Sequence, residues 1–237
     1  MDLFDAISKR KSCRAYADRP LDDEQLQKIC DAIKGFTPLY PEQSLKWRFV
    51  KSLKGPFLVK APHYLVVSGK GEKGEAENAG FIYQQLMLWF STRGIGNLWQ
   101  GGPKDVKRKK TSGKDIIAIA FGRPKEAVYR DISEFKRKPI TEITNDPDDP
   151  RIQAAHLAPS GLNLQPWYFE KTDNQVLLYR ENPKLGVGFV YKLTDLDMGI
   201  ALCHYALACQ RLGQPFVFKR RTEKGNKKGY ELFGELE

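Results

Sequence analysis

Gly80-FIYQQLMLWFSTR-Gly94 and Gly199-IALCHYALACQRL-Gly213 align without a gap at an offset of 119. Each stretch has the length and apolar content of a buried helix, and each is closed by a glycine. Apolar positions coincide at Phe81/Ile200, Leu88/Leu207 and Trp89/Ala208. Upstream, Trp47-Arg-Phe49 aligns on Trp167-Tyr-Phe169 at an offset of 120. Two matches at nearly one offset predict an internal duplication. Buried helices that end in glycine do resemble one another, but the Trp-x-Phe coincidence ranks that alternative second. Two copies of one unit can pack about a pseudo-two-fold axis, as a homodimer does, and clefts at such interfaces are usual cofactor sites. Because the copies have diverged, one of the two equivalent clefts can lose function.

Working outward from the repeat, residues 2–10 and 22–34 read as helices. In the second, Leu26, Ile29, Cys30 and Ile33 follow helical spacing, and Asp22 or Asp23 can cap the start. The stretch 36–56, with three prolines, reads as irregular. Tyr64–Ser68 (YLVVS) and Ile116–Phe121 (IIAIAF) read as short buried strands on either side of the helix 75–92. Gly122-Arg123-Pro124 breaks the chain. Residues 144–150 (TNDPDDP) can continue neither a helix nor a central strand, so the boundary falls there. The expected units are 1–145 and a shorter 146–237. The second holds a short helix at 151–157, strands at 167–170 and 176–180, and a helix at 197–212. The fold class expected is α+β: two tandem half-repeats forming a pseudo-dimer within one chain.

The 237 residues are 41% hydrophobic and 29% charged, an ordinary globular composition. No apolar run is long enough for a transmembrane helix, and MDLFDAISKRKSCR has no apolar core of a secretory signal. Four cysteines without CxxC spacing read as free thiols, so a cytoplasmic protein without a membrane partner is expected. The net charge of +10 favours anionic partners. The excess is concentrated in KDVKRKK (104–110), FKRK (135–138) and KRRTEKGNKK (219–228). The first and last runs read as a solvated loop and a frayed tail. No RNP, KH or helix-turn-helix signature accompanies the charge, so nucleic acid is not the expected partner.

Two stretches carry chemistry. Arg10-Lys11-Ser12-Cys13-Arg14 offers two guanidinium groups around a hydroxyl, which suits a phosphate. Ala158-Pro-Ser-Gly-Leu-Asn-Leu-Gln-Pro-Trp167 combines turn residues with the amides of Asn163 and Gln165, able to meet a polar ring edge, and with Trp167 as an anchor in the core. His63, His156 and His204 lack metal-ligand spacing, so no metal is expected. No GxGxxG follows a strand, so no Rossmann site is expected.

RKSCRAY with LDDEQLQKI downstream resembles the opening of the nitroreductase family of FMN enzymes. APSGLNLQPW resembles that family's second signature. The apolar helix followed by GIGNLWQGG (94–102), IAIAFGRP and FKRKPITEI (135–143) matches in kind and order. The order of signatures departs from the family. The family places its second signature soon after the opening helices, where this chain has TPLYPEQSLKWRF (37–49), without the Ser and Asn. The intact motif stands only in the second half, which lacks the Arg-x-Ser-x-Arg opening. This resembles a branch in which one chain mimics the family dimer, where each FMN lies between subunits.

The resemblance implies one FMN per chain. Arg10, Lys11, Ser12 and Arg14 would hold the phosphate and ribityl chain, joined by Lys136 and Arg137. Gln100-Gly101 would lie against the flavin ring. Pro159, Ser160, Gly161 and Asn163 would come from the second half. The mirror site lacks both signatures. The flavin carries the chemistry, so no catalytic side chain is expected. The implied reaction passes electrons from NAD(P)H through FMN to a nitroaromatic, a quinone or a similar small acceptor, and the pseudo-dimer predicts a monomer. A flavin-binding or regulatory protein without turnover is the alternative, and nucleic-acid binding ranks last.

Overall fold

The structure is a computed structural model that describes residues 1–105, 107, 113–182, 193–221 and 227–237. Parts of the basic runs 104–110 and 219–228 lie outside the described residues. The chain divides into two compact units, Met1–Ile132 and Ser133–Glu237. The division falls upstream of the 145/146 boundary read from the sequence, because 133–145 belongs with the second sheet. Phe169 N–H donates to Ile143 O at 2.8 Å, and Thr144 bridges Phe169 in parallel.

The first unit contains α1 (Leu3–Ile7), α2 (Asp23–Lys34), β1 (Lys46–Val50), β2 (His63–Gly69), α3 (Glu75–Thr92), β3 (Gly96–Gln100) and β4 (Lys114–Gly122). Its strands form one antiparallel sheet in the order β1-β2-β4-β3. The second unit contains α4 (Pro150–His156), β5 (Trp167–Lys171), β6 (Val176–Glu181), α5 (Thr194–Arg211), β7 (Phe218–Arg220) and β8 (Tyr230–Leu236). Its antiparallel order is β5-β6-β8-β7. Both sheets therefore place a helix between their second and third strands and insert the last strand beside the second. Each carries an irregularity at the same pairing, Val67/Ser68 against β4 and Leu178/Tyr179 against β8.

The glycines that close the repeated stretches adopt φ of +66° (Gly94) and +67° (Gly213). Left-handed backbone favours glycine there and lets the next N–H reach back to the helix end: Ile95 N–H to Phe90 O at 3.0 Å, Gln214 N–H to Cys209 O at 2.9 Å. One capping geometry therefore terminates α3 and α5. At the start of α2 it is Asp22 that caps, in a reciprocal pair with Gln25.

Several expectations are corrected. The stretch 36–56 contains β1, whose Trp47 and Phe49 pair with Val67 and Leu65 of β2. The first helix stops at Ile7, because the chain turns at Ser8 and Arg10 bridges Tyr129. Lys219 and Arg220, expected in a frayed tail, lie in β7, while residues 222–226 of that run lie outside the described residues; the strand at 96–100 has no counterpart among the sequence expectations.

The first sheet is buried on both faces, which explains why its strands read as continuous apolar runs. One face carries Leu65, Val67, Ile119 and Phe121, with Phe90 of α3 stacked on Phe121 at 5.2 Å. The other carries Tyr64, Val66, Leu98, Ala118 and Ala120, packed with Cys13 and Tyr16. The N-terminal basic loop is thus pinned to the sheet by its own apolar residues.

His63 sits at the edge of this core, stacked on Phe121, and its Nε2 accepts the Leu21 N–H at 2.9 Å. Accepting requires Nε2 unprotonated, and burial lowers its pKa from 6.5. The unfolded chain therefore takes up this proton first, so the histidine's contribution is present above about pH 6.5 and is lost below it. His156 has the same sign: burial lowers it, against a raising bond from its Nε2–H to Lys138 O at 2.7 Å. We expect His63→Gln and His156→Gln each to flatten the loss of melting temperature between pH 7 and pH 5. Unchanged slopes in the double variant would show that neither ring is linked to folding.

Candidate functional site

Two stretches singled out in the sequence are held in defined geometry, one in each unit. In the first unit, the backbone of Arg10–Arg14 is stitched on both sides. Lys11 N–H donates to Val128 O and Cys13 N–H to Asn97 O, both at 2.9 Å. The Glu126 carboxylate accepts the N–H groups of Arg14 at 2.6 Å and Ala15 at 3.2 Å. Those bonds, the Arg14 N–H first, lower the Glu126 pKa. Gly96 leaves room for this loop, since a Cβ there would meet Cys13 Sγ at 2.7 Å. Inside the loop, Arg10 is only 2% exposed and its Nη2 donates to Ser12 Oγ at 2.8 Å. Arg10 thereby orients the Ser12 hydroxyl from beneath. Lys11 lies 3.9 Å from Glu126. The Arg14 side chain is exposed and makes no hydrogen bond or ion pair among the described residues.

Gln100 ends β3 as a buried side chain whose Oε1 accepts the Val59 N–H at 3.1 Å, and Gly101 follows as exposed backbone. The sequence reading put both against a flavin ring. Gln100 also has a structural task, tying the 53–61 segment to the sheet edge.

In the second unit, the loop 158–167 and the basic run 136–138 form one hydrogen-bonded body. Arg137 donates to Asn163 Oδ1 at 3.1 Å and to Leu157 O at 2.9 Å. Asn163 Nδ2 donates to Lys136 O at 2.8 Å. Gln165, 2% exposed, accepts Lys138 N–H at 2.9 Å and donates to Asn163 O at 3.0 Å. Asn163 and Gln165 thus use their amides to build the loop, where the sequence reading gave them to a ring edge. Ser160 Oγ accepts the Gln165 N–H at 2.9 Å, and Gly161 N–H donates to Asp197 Oδ1 at 3.0 Å. Pro159, Ser160 and Gly161 remain half-buried. The Lys136 ammonium is exposed and has no ion-pair partner among the described residues.

This loop is strained. Leu162, Asn163 and Gln165 have φ of +49°, +58° and +48°. Asn tolerates the left-handed region, but Leu and Gln do so at a cost on the order of 1–3 kcal/mol each. Such strain persists where the surroundings over-determine it, as they do here, and it concentrates at functional sites. The sequence reading missed Glu126, Lys138 and Asp197, which hold the two loops. A lone Glu carries no motif, and Lys138 lies in the FKRK run without being singled out as a site residue. Asp197 did carry a signal, because the repeat aligns it with Asn78.

A family model described as "Putative TM nitroreductase" matches residues 2–209. The chain belongs to this nitroreductase family. Its fold is the nitroreductase fold. A solved "putative nitroreductase" of Thermotoga maritima is 24% identical with a TM-score of 0.67, over 98% of this chain and 94% of that one. A nitroreductase family protein of Clostridium difficile is 20% identical with a TM-score of 0.51, covering 60% of this chain and 96% of its own. No curated protein matches. Membership in the family makes the chain an oxidoreductase of nitroreductase type. Among the described residues no helix is long and apolar enough to cross a membrane, and no cluster of metal-ligating side chains occurs.

Proposed function

We propose that this nitroreductase-family chain binds one FMN and passes electrons from NAD(P)H to a small acceptor such as a nitroaromatic or a quinone. The observation that carries the reading is the Arg10–Arg14 loop. Its backbone is fixed, its hydroxyl is oriented by a buried guanidinium, and the exposed Arg14 side chain has no hydrogen-bond or ion-pair partner among the described residues. A fixed cationic loop with an oriented hydroxyl fits a phosphate monoester, the anionic end of FMN. Lys11, Ser12 and Arg14 would hold it, with Arg10 behind them. Lys136 and Arg137 would add positive charge. The exposed backbone at Gly101, and Pro159, Ser160 and Gly161 of the strained loop, would meet the ring system, with Asn163 holding that loop in shape. FMN, when bound, supplies the two-electron chemistry, and the protein contributes binding, orientation and exclusion of water.

The shared strand order of the two sheets supports reading the units as diverged copies that act together within one chain, a monomer standing for a dimer. The copies would keep complementary signatures: the basic opening in one, the Pro-Ser-Gly-x-Asn loop in the other. One competent site per chain follows.

The test is the absorbance spectrum of the purified protein with and without added FMN, followed by anaerobic addition of NADH or NADPH. We expect a flavin spectrum at one FMN per chain that bleaches with either donor. A protein that binds no FMN overturns the reading. Bound FMN that neither donor reduces would favour a flavin-binding regulator without turnover.

A further inference from the structure

The repeat offset pairs Asn78 of α3 with Asp197 of α5, each in the first turn of its helix. Both side chains are buried, at 0% and 1% exposure. Both reach the backbone of the segment that leads into the first strand of their sheet. Asn78 Oδ1 accepts the N–H groups of Leu39 and Tyr40 at 2.9 and 3.2 Å, and its Nδ2 donates to Tyr40 O at 3.1 Å. Asp197 Oδ1 accepts the Gly161 N–H at 3.0 Å, while its Oδ2 has no partner among the described residues. The same position thus fastens the same segment, with a carboxamide in one unit and a carboxyl in the other.

We propose that Asp197 is a positioning residue, whose buried carboxyl clamps the strained loop at Gly161 and so holds Ser160 and Gly161 ready for the ligand. The last clause rests on the FMN reading, and the clamp itself does not. Three observations converge on it. The loop carries three non-glycine residues at positive φ, so it needs fastening. No cation among the described residues balances the carboxyl. Several charged groups of α4, α5 and the flanking strand pair with one another instead. Asp149 pairs with Arg151 on α4, Asp195 of α5 with Arg180 of β6, and Lys138 with Glu181. The His156 and His204 rings bond the carbonyls of Lys138 and Ala154. Finally, burial raises the carboxyl to about 8, against the Gly161 N–H, which lowers it. Near neutral pH the acid therefore keeps its proton, and its shape and polarity match those of Asn78.

The sign of the linkage is definite. The folded state retains a proton that the unfolded chain releases above the ordinary carboxyl value of 3.8. The contribution of Asp197 to stability is therefore full below about pH 4 and shrinks as pH rises to about 8.

The test compares Asp197→Asn with Asp197→Ala. It reads hydrogen exchange at the Gly161 amide, urea stability from pH 5 to 9, and FMN affinity by titration. Asp197→Asn keeps an acceptor for Gly161 without a titrating group. It should retain exchange protection and FMN affinity within about threefold and remove the stability slope that ends near pH 8. Asp197→Ala should speed Gly161 exchange and weaken FMN binding by about tenfold, the equivalent of one lost hydrogen bond. If Asp197→Asn behaves as Asp197→Ala, or if Gly161 exchange ignores both, the clamp is wrong. If Gly161 responds as expected but the parent protein binds no FMN, the clamp stands and the flavin reading falls.

Discussion

Arg14→Ala is expected to weaken FMN binding by roughly 10- to 100-fold while leaving the melting temperature of the flavin-free protein unchanged. The two halves of that expectation have separate causes. The Arg14 side chain is exposed and has no partner among the described residues, so its removal from the folded chain breaks no contact; such surface changes stay within about 0.5 kcal/mol. A charge-assisted bidentate contact to a phosphate contributes about 1.5–3 kcal/mol, which sets the fold-change. Arg14→Lys keeps the charge and loses the fork, so it should fall between the parent and the alanine variant. Ser160→Ala, in the other unit, should also weaken binding, by about tenfold, and it should cost about 1 kcal/mol of stability because Ser160 Oγ accepts the Gln165 N–H. Titrating FMN into the variants decides the matter. Should only one of them weaken binding, the idea that one FMN draws on both units fails.

Much of the fold was legible because periodicity and punctuation are local. The repeat at an offset of 119 located α3 and α5 and both closing glycines, whose near-identical φ values explain why the ends aligned so well. The runs of β2 and β4 were readable because both faces of the first sheet are buried. The elements missed were those whose pattern is set by the sheet. In β1, only half-buried apart from its exposed first residue, KWRFV has no apolar run of its own and takes its identity from pairing with β2. β7 has three residues, and the mixed-charge flank of β8 disguised it as tail. Yet the alignment of Trp47-x-Phe49 on Trp167-x-Phe169 already pointed to β1, since the second copy reads as a strand.

The candidate site was legible as motifs and illegible as wiring. That Ser12 and Arg14 differ in task from Arg10 depends on burial, which a basic pentapeptide does not announce. Asn163 and Gln165 are polar amides in a loop, and sequence alone cannot say whether such amides face a ligand or each other. Here the Arg137 and Lys138 backbone and side-chain groups claim them, a contact across more than twenty residues of chain.

Trp167→Ala should destabilise the second unit by about 3–5 kcal/mol, the range for deleting a large buried aromatic. Trp167 is 1% exposed, opens β5 opposite Arg180, and ends the strained loop. For a unit of this size that loss lowers its melting temperature on the order of 15–25 °C. Trp47, its counterpart in the repeat, is half-buried, so Trp47→Ala should cost less, about 1–2 kcal/mol. The difference between two tryptophans at equivalent places isolates burial from residue type. The indole nitrogen supplies little of the effect, because Trp167 Nε1 has no hydrogen-bond partner among the described residues. Trp167→Phe, which keeps most of the volume and loses only that N–H, should therefore cost under about 1.5 kcal/mol. Urea unfolding of the four proteins gives the ranking. If Trp167→Phe proved as costly as Trp167→Ala, the stabilisation would reside in the N–H and not in the packed ring. If the two alanine variants cost the same, burial would not be what separates the two copies.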